Sequence, residues 1–268
     1  MPLTKFQRTI AALLAKNRSP ESHLAGGAAL HLAPNSKRYS NDLDYFHDSA
    51  ERVGEAFAKD DSTLKAAGFE VAIQMNQPGY LRVIVSKGKE STKIEWSHDT
   101  AWRFLPVVED PDVGFMLHPI DLAINKLLAV AGRDEPRDFL DILFAHRTIL
   151  PLGALCWAAV GKDPGFTPRS LLELIRRRGK YRPEDFSRLN LTEKIDVVEL
   201  KSQWLAALDE TEKLIGQLPP EALGCLYYSR SDNTFVAPLA EELKTDSNIV
   251  RHFGRPGGVL PMFVEGSS

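Results

Sequence analysis

Two aspartates, Asp42 and Asp44, have the type and spacing that most clearly suggest chemistry in this sequence. They lie in the segment from Asp42 to Phe46, which alternates polar and apolar residues as a half-buried strand does. Because successive strand side chains point to opposite faces, both carboxylates share one face while Leu43 and Tyr45 face the core. Paired carboxylates need a compensating cation, and hard oxygen ligands of this kind suit Mg²⁺. The pattern predicts a metal site, although such a pair alone also fits the solvated face of an edge strand.

Two further features of the sequence add to this prediction. Gly26 and Gly27 open a short predicted helix, and consecutive glycines let a backbone approach a phosphate closely. Glu95, on the predicted strand over 92–97, is the candidate for a third carboxylate. A glycine pair alone is also an ordinary turn. A phosphate-binding turn followed by a metal-binding strand is much more specific than either feature by itself.

The periodicity of the rest of the chain predicts the elements that position these residues. The N-terminal half is α/β, with helices and strands that include a mixed sheet built around the Asp42 strand, whereas the half after about residue 118 is helical. The predicted strands cover 22–25, 42–46, 69–75, 80–86 and 92–97. The predicted helices cover 3–17, 28–32, 50–67, 120–131, 139–150, 168–178, 191–218 and 238–244.

The composition excludes several classes of protein. With 268 residues, 43% hydrophobic and 26% charged, the chain is globular and neither disordered nor collagen-like. A net charge of −3 excludes a uniformly basic nucleic-acid coat but permits a local basic patch. The two cysteines, Cys156 and Cys225, form no CxxC pair and fit a reducing compartment. With no apolar run long enough to span a bilayer and no signal-peptide pattern, we expect a cytoplasmic protein that does not bind membranes.

Two stretches of the sequence resemble a known family. The segments 24–30 and 38–46 resemble the signature of the DNA polymerase β-type nucleotidyltransferases, and in particular the AbiEii/AbiGii toxin family with its MenT-like members. A second stretch, with Lys126 on a predicted helix followed by an Arg-Asp-x-x-Asp motif over 137–141, resembles further motifs of that family. The resemblance covers about residues 22–145.

The resemblance implies a fold and an activity. The fold would be α+β (α/β), with a polymerase β-like nucleotidyltransferase core and mixed sheet over 1–115 and a helical C-terminal domain over 116–268. The activity would be that of a Mg²⁺-dependent toxin that transfers nucleotides from a nucleoside triphosphate to RNA. The acceptor would be the tRNA 3′ end, so that translation is blocked, and a cognate antitoxin would be the partner.

The resemblance also assigns roles to individual residues. Asp42 and Asp44 hold metal, with Glu95 as a weaker third ligand that could also activate the acceptor hydroxyl. The nucleotide-binding residues are Gly26 and Gly27 as a phosphate cradle, Arg38 and Ser40 on the triphosphate or bracing the loop, and Lys126 and Arg137 on phosphate. The catalytic residues implied by the resemblance are Asp42, Asp44, Lys126 and Asp138.

The motif on the helices leaves alternatives open. Lys126 can place a point charge on a triphosphate or lie solvated on its helix. Asp138 either orients Lys126, contacts the nucleotide or simply favours a helix start. Asp141 shares a helix face with Asp138, but it could pair with Arg133 instead.

A basic segment offers a surface for RNA. Residues 169–182 contain six arginines and lysines against one acidic residue, Glu173, and Tyr181 could stack on a base. A solvated helix end explains the same charges equally well.

Other functions fit the same motifs. The acceptor could be a small molecule such as an aminoglycoside, or a protein side chain. The chain could also be a non-catalytic nucleotide-binding regulatory module, or a toxin that acts by nucleotide binding or a phosphotransfer step.

Overall fold

The computed structural model describes residues 3–32 and 38–261 of the chain. The chain divides into two compact units, the first comprising Met1–Leu122 and Ser187–Lys194 and the second Ala123–Phe186 and Ile195–Ser268. The division after Leu122 lies close to the predicted boundary after residue 115. No feature of the sequence indicated that Ser187–Lys194 belongs to the first unit.

The first unit contains most of the strands. Its helices are α1 (Lys5–Leu14), α2 (Gly26–Leu30) and α3 (Ala50–Ala66), with a 3-10 turn at Ala15–Asn17. Its strands are β1 (Ser22–Ala25), β2 (Asp42–His47), β3 (Glu70–Gln77), β4 (Tyr80–Lys87), β5 (Glu90–His98), β6 (Trp102–Arg103), β7 (Val108–Asp110) and β8 (Gly114–Met116). Helix α4 (Pro119–Gly132) runs across the division between the units.

Seven of these strands form one sheet in the order β3-β4-β5-β2-β1-β8-β7. Strand β2 pairs parallel with β5 and antiparallel with β1, so the sheet is mixed, as predicted. Strands β6, β7 and β8 were not predicted, because two or three residues are too few to establish an alternating pattern.

One face of the sheet carries the core of the first unit. Leu43 and Tyr45 of β2 and Ile94 and Trp96 of β5 are fully buried, and α1 and α3 contact β5. The indole of Trp96 donates to the buried carboxylate of Asp60 at 2.8 Å. Burial of alternate residues leaves the other face of β2 and β5 to the polar side chains.

The second unit is mainly helical but also holds a small sheet. After α4 come α5 (Pro136–Thr148), α6 (Leu152–Lys162), α7 (Pro168–Arg176), α8 (Val197–Ile215) and α9 (Ala240–Thr245). Strands β9 (Leu226–Ser229), β10 (Thr234–Val236) and β11 (Ile249–His252) form an antiparallel sheet, and β12 covers Arg255–Pro256.

Two features of this unit differ from the sequence prediction. Helix α6 was missed because it is apolar on all sides, with every residue from Leu152 to Val160 buried, so it shows no amphipathic period. The small sheet was missed because its strands have three or four residues each. Within the described ranges no single helix has the length and apolarity to cross a membrane; α5 and α6 reach that composition only as a pair bent by 111°.

Candidate functional site

The predicted carboxylate pair lies on the polar face of β2. Asp42 is 5% exposed and Asp44 is half-buried, while Leu43 between them is fully buried, as the alternation predicted. The hydroxyl of Ser40 donates to Oδ1 of Asp42 at 3.2 Å. Helix α1 supports the segment that leads into β2, because the buried Gln7 amide donates to the Ser40 carbonyl at 3.1 Å.

Gly26 makes the closest approach to the carboxylate pair. Strand β1 ends opposite Asp44, and the next residue, Gly26, has φ +62°, in the region that favours glycine. A Cβ atom placed at Gly26 would lie 2.0 Å from Oδ2 of Asp44. The glycine therefore leaves the space in which the Asp44 carboxylate sits.

Gly27 likewise leaves space for side chains of the segment that leads into β2. A Cβ atom there would lie 2.7 Å from Nη2 of Arg38 and 3.3 Å from Oγ of Ser40. Arg38 is itself buried, donates to the Tyr39 carbonyl at 3.1 Å and forms a backbone bridge with Leu191. Of the two roles predicted for Arg38, bracing the loop is the one that these contacts support.

Glu95 lies directly opposite Asp44 on the neighbouring strand β5, as the strand prediction requires. Its Oε1 accepts from Nζ of Lys93 at 2.8 Å and from Nε of Arg82 at 2.8 Å. The Lys93 ammonium also lies 2.9 Å from Oδ2 of Asp42. Lys93 and Arg82 were not predicted as site residues, although their positions on the polar faces of β5 and β4 were available from strand alternation.

These contacts set the charges at the site. Burial alone would raise the pKa of Glu95, but the hydrogen bond and charge of Lys93, together with the charge of Arg82, lower it. Burial likewise opposes the charge of Lys93, yet the hydrogen bonds to Glu95 and Asp42 raise its pKa. Glu95 is therefore a carboxylate and Lys93 an ammonium at neutral pH.

The donor set of Asp42 and Asp44 fits Mg²⁺. This ion is commonly held by one or two carboxylates, with waters and substrate phosphates filling its other positions. Across residues 3–32 and 38–261, no three histidine, cysteine, aspartate or glutamate side chains are grouped so that they could hold a metal. The third-ligand role of Glu95 stays a prediction.

In the second unit, the predicted lysine and aspartates form a buried cluster. Nζ of Lys126 lies 3.1 Å from Oδ1 of Asp138 and 2.8 Å from Oδ2 of Asp141. Both aspartates are fully buried, and the Lys126 side chain is 10% exposed. Arg133 binds the other oxygen of Asp138 at 2.6 Å. Asp138 thus contacts Lys126, one of the roles left open by the sequence.

The cluster also defines the state of Asp138. Burial would raise the pKa of this carboxyl, but the Lys126 charge and the Arg133 hydrogen bond lower it. Asp138 is therefore ionised at neutral pH. Arg137, the predicted phosphate ligand, is half-buried on α5, next to Asp138 in sequence.

The basic segment over 169–182 is less available than its sequence indicated. Arg176 pairs with Glu212 at 2.8 Å, and Arg178 donates to the carbonyls of Val130 and Ala131 at 3.1 and 3.2 Å. The exposed cations of the segment are Arg169, Arg177, Lys180 and Arg182.

The expectation that Tyr181 stacks on a base was wrong. Tyr181 is buried, its ring packs against Phe139 and Phe186, and its hydroxyl donates to Asp134. An aromatic residue beside several arginines is attractive for RNA in sequence alone, but here it completes the core of the second unit.

Comparison with known proteins identifies the family. The sequence model of one protein family, described as the nucleotidyl transferase AbiEii toxin of type IV toxin–antitoxin systems, matches residues 10–219 of the chain. The chain belongs to the AbiEii family. It is therefore a nucleotidyltransferase toxin of a toxin–antitoxin system, and the matched range contains every predicted metal, nucleotide and catalytic residue.

Solved structures show the same fold. MenT4, a nucleotidyltransferase toxin from Mycobacterium tuberculosis H37Rv, is 17% identical, with a TM-score of 0.52 over 81% of this chain and 83% of that one. JHP933 from Helicobacter pylori is 19% identical, with a TM-score of 0.50 over 79% and 95%. No curated protein matches the chain. The predicted fold class is confirmed. At sequence identities this low, the structural similarity is evidence for the fold alone.

Proposed function

We propose that this AbiEii protein is a Mg²⁺-dependent toxin that transfers nucleotides from a nucleoside triphosphate to RNA, with the tRNA 3′ end as acceptor. One observation carries the proposal: the Gly26 turn, whose missing side chain admits Asp44, lies against the Asp42–Asp44 face of β2. A glycine turn beside a carboxylate pair puts a backbone that can approach phosphate next to carboxylates that can bind the metal ion of that phosphate.

The residues divide the work between them. Asp42 and Asp44 hold Mg²⁺, which supplies Lewis-acid stabilisation of charge on the phosphoryl oxygens. Gly26 and Gly27 bring their backbone to the triphosphate, while Arg38 and Ser40 hold the loop that leads into β2. Lys126, oriented by Asp138, adds a positive charge for phosphate, and Arg137 adds a second.

The proposed reaction is an in-line displacement at the α-phosphorus. The acceptor hydroxyl oxygen forms a new bond to phosphorus, the bond from phosphorus to the α,β-bridging oxygen breaks, and pyrophosphate leaves. The hydroxyl proton passes to a base and then to water. Glu95 is the candidate base, because it lies opposite Asp44 on the neighbouring strand β5.

The cellular setting follows from the proposed acceptor. Addition to the tRNA 3′ end prevents charging with an amino acid and so stops translation. Such a toxin works in the cytoplasm, where tRNA is abundant, and its family membership implies a cognate antitoxin that prevents this damage.

The test is incubation of the purified protein with Mg²⁺, total tRNA and each α-labelled nucleoside triphosphate in turn. We expect label on RNA with the wild-type protein. The double variant Asp42→Asn and Asp44→Asn should lower labelling by at least about 100-fold, because the charges that bind the metal are lost while shape is kept. Asp61→Asn, which removes a half-buried carboxylate paired with Lys65, is the matched control.

Two results would reject the proposal. Labelling that persists at the wild-type rate in the double variant contradicts the metal site. Label that appears on a small molecule or on protein, with none on RNA, contradicts the acceptor.

A further inference from the structure

The polar face of the sheet continues beyond the carboxylate pair. The strand register aligns Asp44 with Glu95, Glu95 with Arg82, and Arg82 with Met75. Residues aligned on neighbouring strands point to the same face. These four residues, called the cross-strand row below, therefore run from β2 through β5 and β4 to β3, the edge strand of the sheet.

The positive charges of Lys93 and Arg82 on this face outnumber the single negative charge of Glu95 between them. Lys93 and Arg82 converge on a single oxygen of Glu95, at 2.8 Å each, and their side chains are 29% and 34% exposed. Lys93 also reaches Asp42. When Asp42 binds a metal, two partly exposed cations remain for the single negative charge of Glu95. The face next to the carboxylate pair then carries a positive excess.

Surfaces suited to bases adjoin these cations. The Cζ atom of Arg82 lies 5.6 Å from the centre of the Tyr80 ring, and Tyr80 is half-buried. Met75, at the end of the row, is 37% exposed on an edge strand where both faces are largely open to solvent. Cations interleaved with an aromatic ring and an exposed apolar side chain are typical of surfaces that bind single-stranded nucleic acid.

We infer that Arg82 and Lys93 bind backbone phosphates of the acceptor RNA, whose strand follows the cross-strand row from the carboxylate pair toward the sheet edge. Neighbouring strands are about 4.8 Å apart, so the two cations lie about 5 and about 10 Å across the sheet from β2. That extension matches a polymer, whereas a small acceptor would need contacts only beside Asp44. The inference rests on the proposed function, since it assigns the RNA to the same site.

The role is separable from folding. Partly exposed cross-strand ion pairs contribute little to stability, so loss of either cation leaves the sheet folded. Arg82→Gln and Lys93→Gln remove one charge each and keep much of the side-chain length. Lys89→Gln, in the exposed turn between β4 and β5, changes the net charge equally away from the row.

The experiment measures tRNA affinity by filter binding without nucleotide, at NaCl concentrations from about 0.05 to about 0.5 M. Each lost contact with a single-strand phosphate reduces the slope of log affinity against log salt concentration by about 0.7. Relative to the affinity at 1 M salt, this change lowers the affinity at 0.1 M salt by about fivefold. We expect this loss in Arg82→Gln and in Lys93→Gln, a larger loss in the double variant, and none in Lys89→Gln. Arg82→Lys should retain most of the affinity, because it keeps the charge.

The outcomes separate this inference from the proposed function. Suppose that the wild-type protein labels RNA, but Arg82→Gln and Lys93→Gln both keep the tRNA affinity and salt slope of the wild type. That result overturns the assignment of these two cations to RNA and leaves the proposed function standing. An equal loss in Lys89→Gln also overturns that assignment, because the effect would then come from net charge. If the wild-type protein neither labels nor binds RNA, the proposed acceptor fails and the row fails with it.

Discussion

Replacement of Gly26 by alanine tests the geometry of the site most directly. The added Cβ atom would lie 2.0 Å from Oδ2 and 2.8 Å from Cγ of Asp44. Because nonbonded atoms settle about 3.5 Å apart, the carboxylate must move by about 1.5 Å to make room. The backbone adds a second cost, since φ is +62° at this position.

The two costs act on different quantities. A left-handed conformation at a non-glycine residue costs about 1–2 kcal/mol, which should appear as a lower free energy of unfolding. A displacement of about 1 Å at a reacting group costs about 100-fold in rate. Gly26→Ala should therefore unfold slightly more easily but lose far more activity than its stability explains.

The measurement pairs nucleotide transfer to tRNA with denaturant unfolding of the same preparations. Gly54→Ala is the matched control, because among the described residues no atom lies within 4 Å of a Cβ placed there, and alanine should stabilise helix α3 by about 0.5–1 kcal/mol. Wild-type transfer rates in Gly26→Ala would refute the argument that the glycine turn fixes the Asp44 carboxylate.

Two further predictions concern buried charges. Lys126→Met removes the ammonium that contacts both buried carboxylates, while Arg133 still contacts Asp138, and should lower the free energy of unfolding by about 3–5 kcal/mol. Adding Asp141→Asn should recover part of this loss; an unchanged denaturation midpoint would contradict the ion cluster. Burial lowers the pKa of His23 to about 4 and of His47 to about 3. Only the unfolded chain therefore takes up these protons below pH 6.5, and stability should fall as pH falls toward about 4, by about 1.4 kcal/mol per pH unit for each histidine. His47→Gln should flatten that profile and the exposed His98→Gln should not; equal profiles in both would remove His47 as the cause.

The strand that carries the site was predictable because one alternating pattern determines both its burial and its chemistry. In β2, Leu43 and Tyr45 enter the core, and the same period sends Asp42 and Asp44 to the other face. Helix α3 was predicted almost to the residue, over 50–67 with Gly68 after its end, and the structure adds Ser49 as its N-cap. Helix α6 gave no such signal, since burial on all sides removes the period.

Contacts between distant segments could not be predicted in the same way. That Lys93 contacts both Glu95 and Asp42 depends on the pairing of β5 with β2, and these two strands are far apart in sequence. The burial of Tyr181 depends on packing against Phe139, which neither segment reveals alone. Sequence spacing therefore identified the acidic residues, whereas the contacts that the cations make with them required the fold.

The two acidic clusters differ in how exchangeable their cations are. Lys93 contacts Asp42 and Glu95 with 29% of its side chain exposed, so water and dissolved ions can compete for the carboxylates. Lys126 is 10% exposed and contacts two aspartates that are fully buried, so water and dissolved ions have little access to the carboxylates that it contacts. A metal ion can thus replace the ammonium at Asp42 at small cost, but not at Asp138 and Asp141. This difference supports metal binding on β2 and a fixed, positively charged lysine on α4.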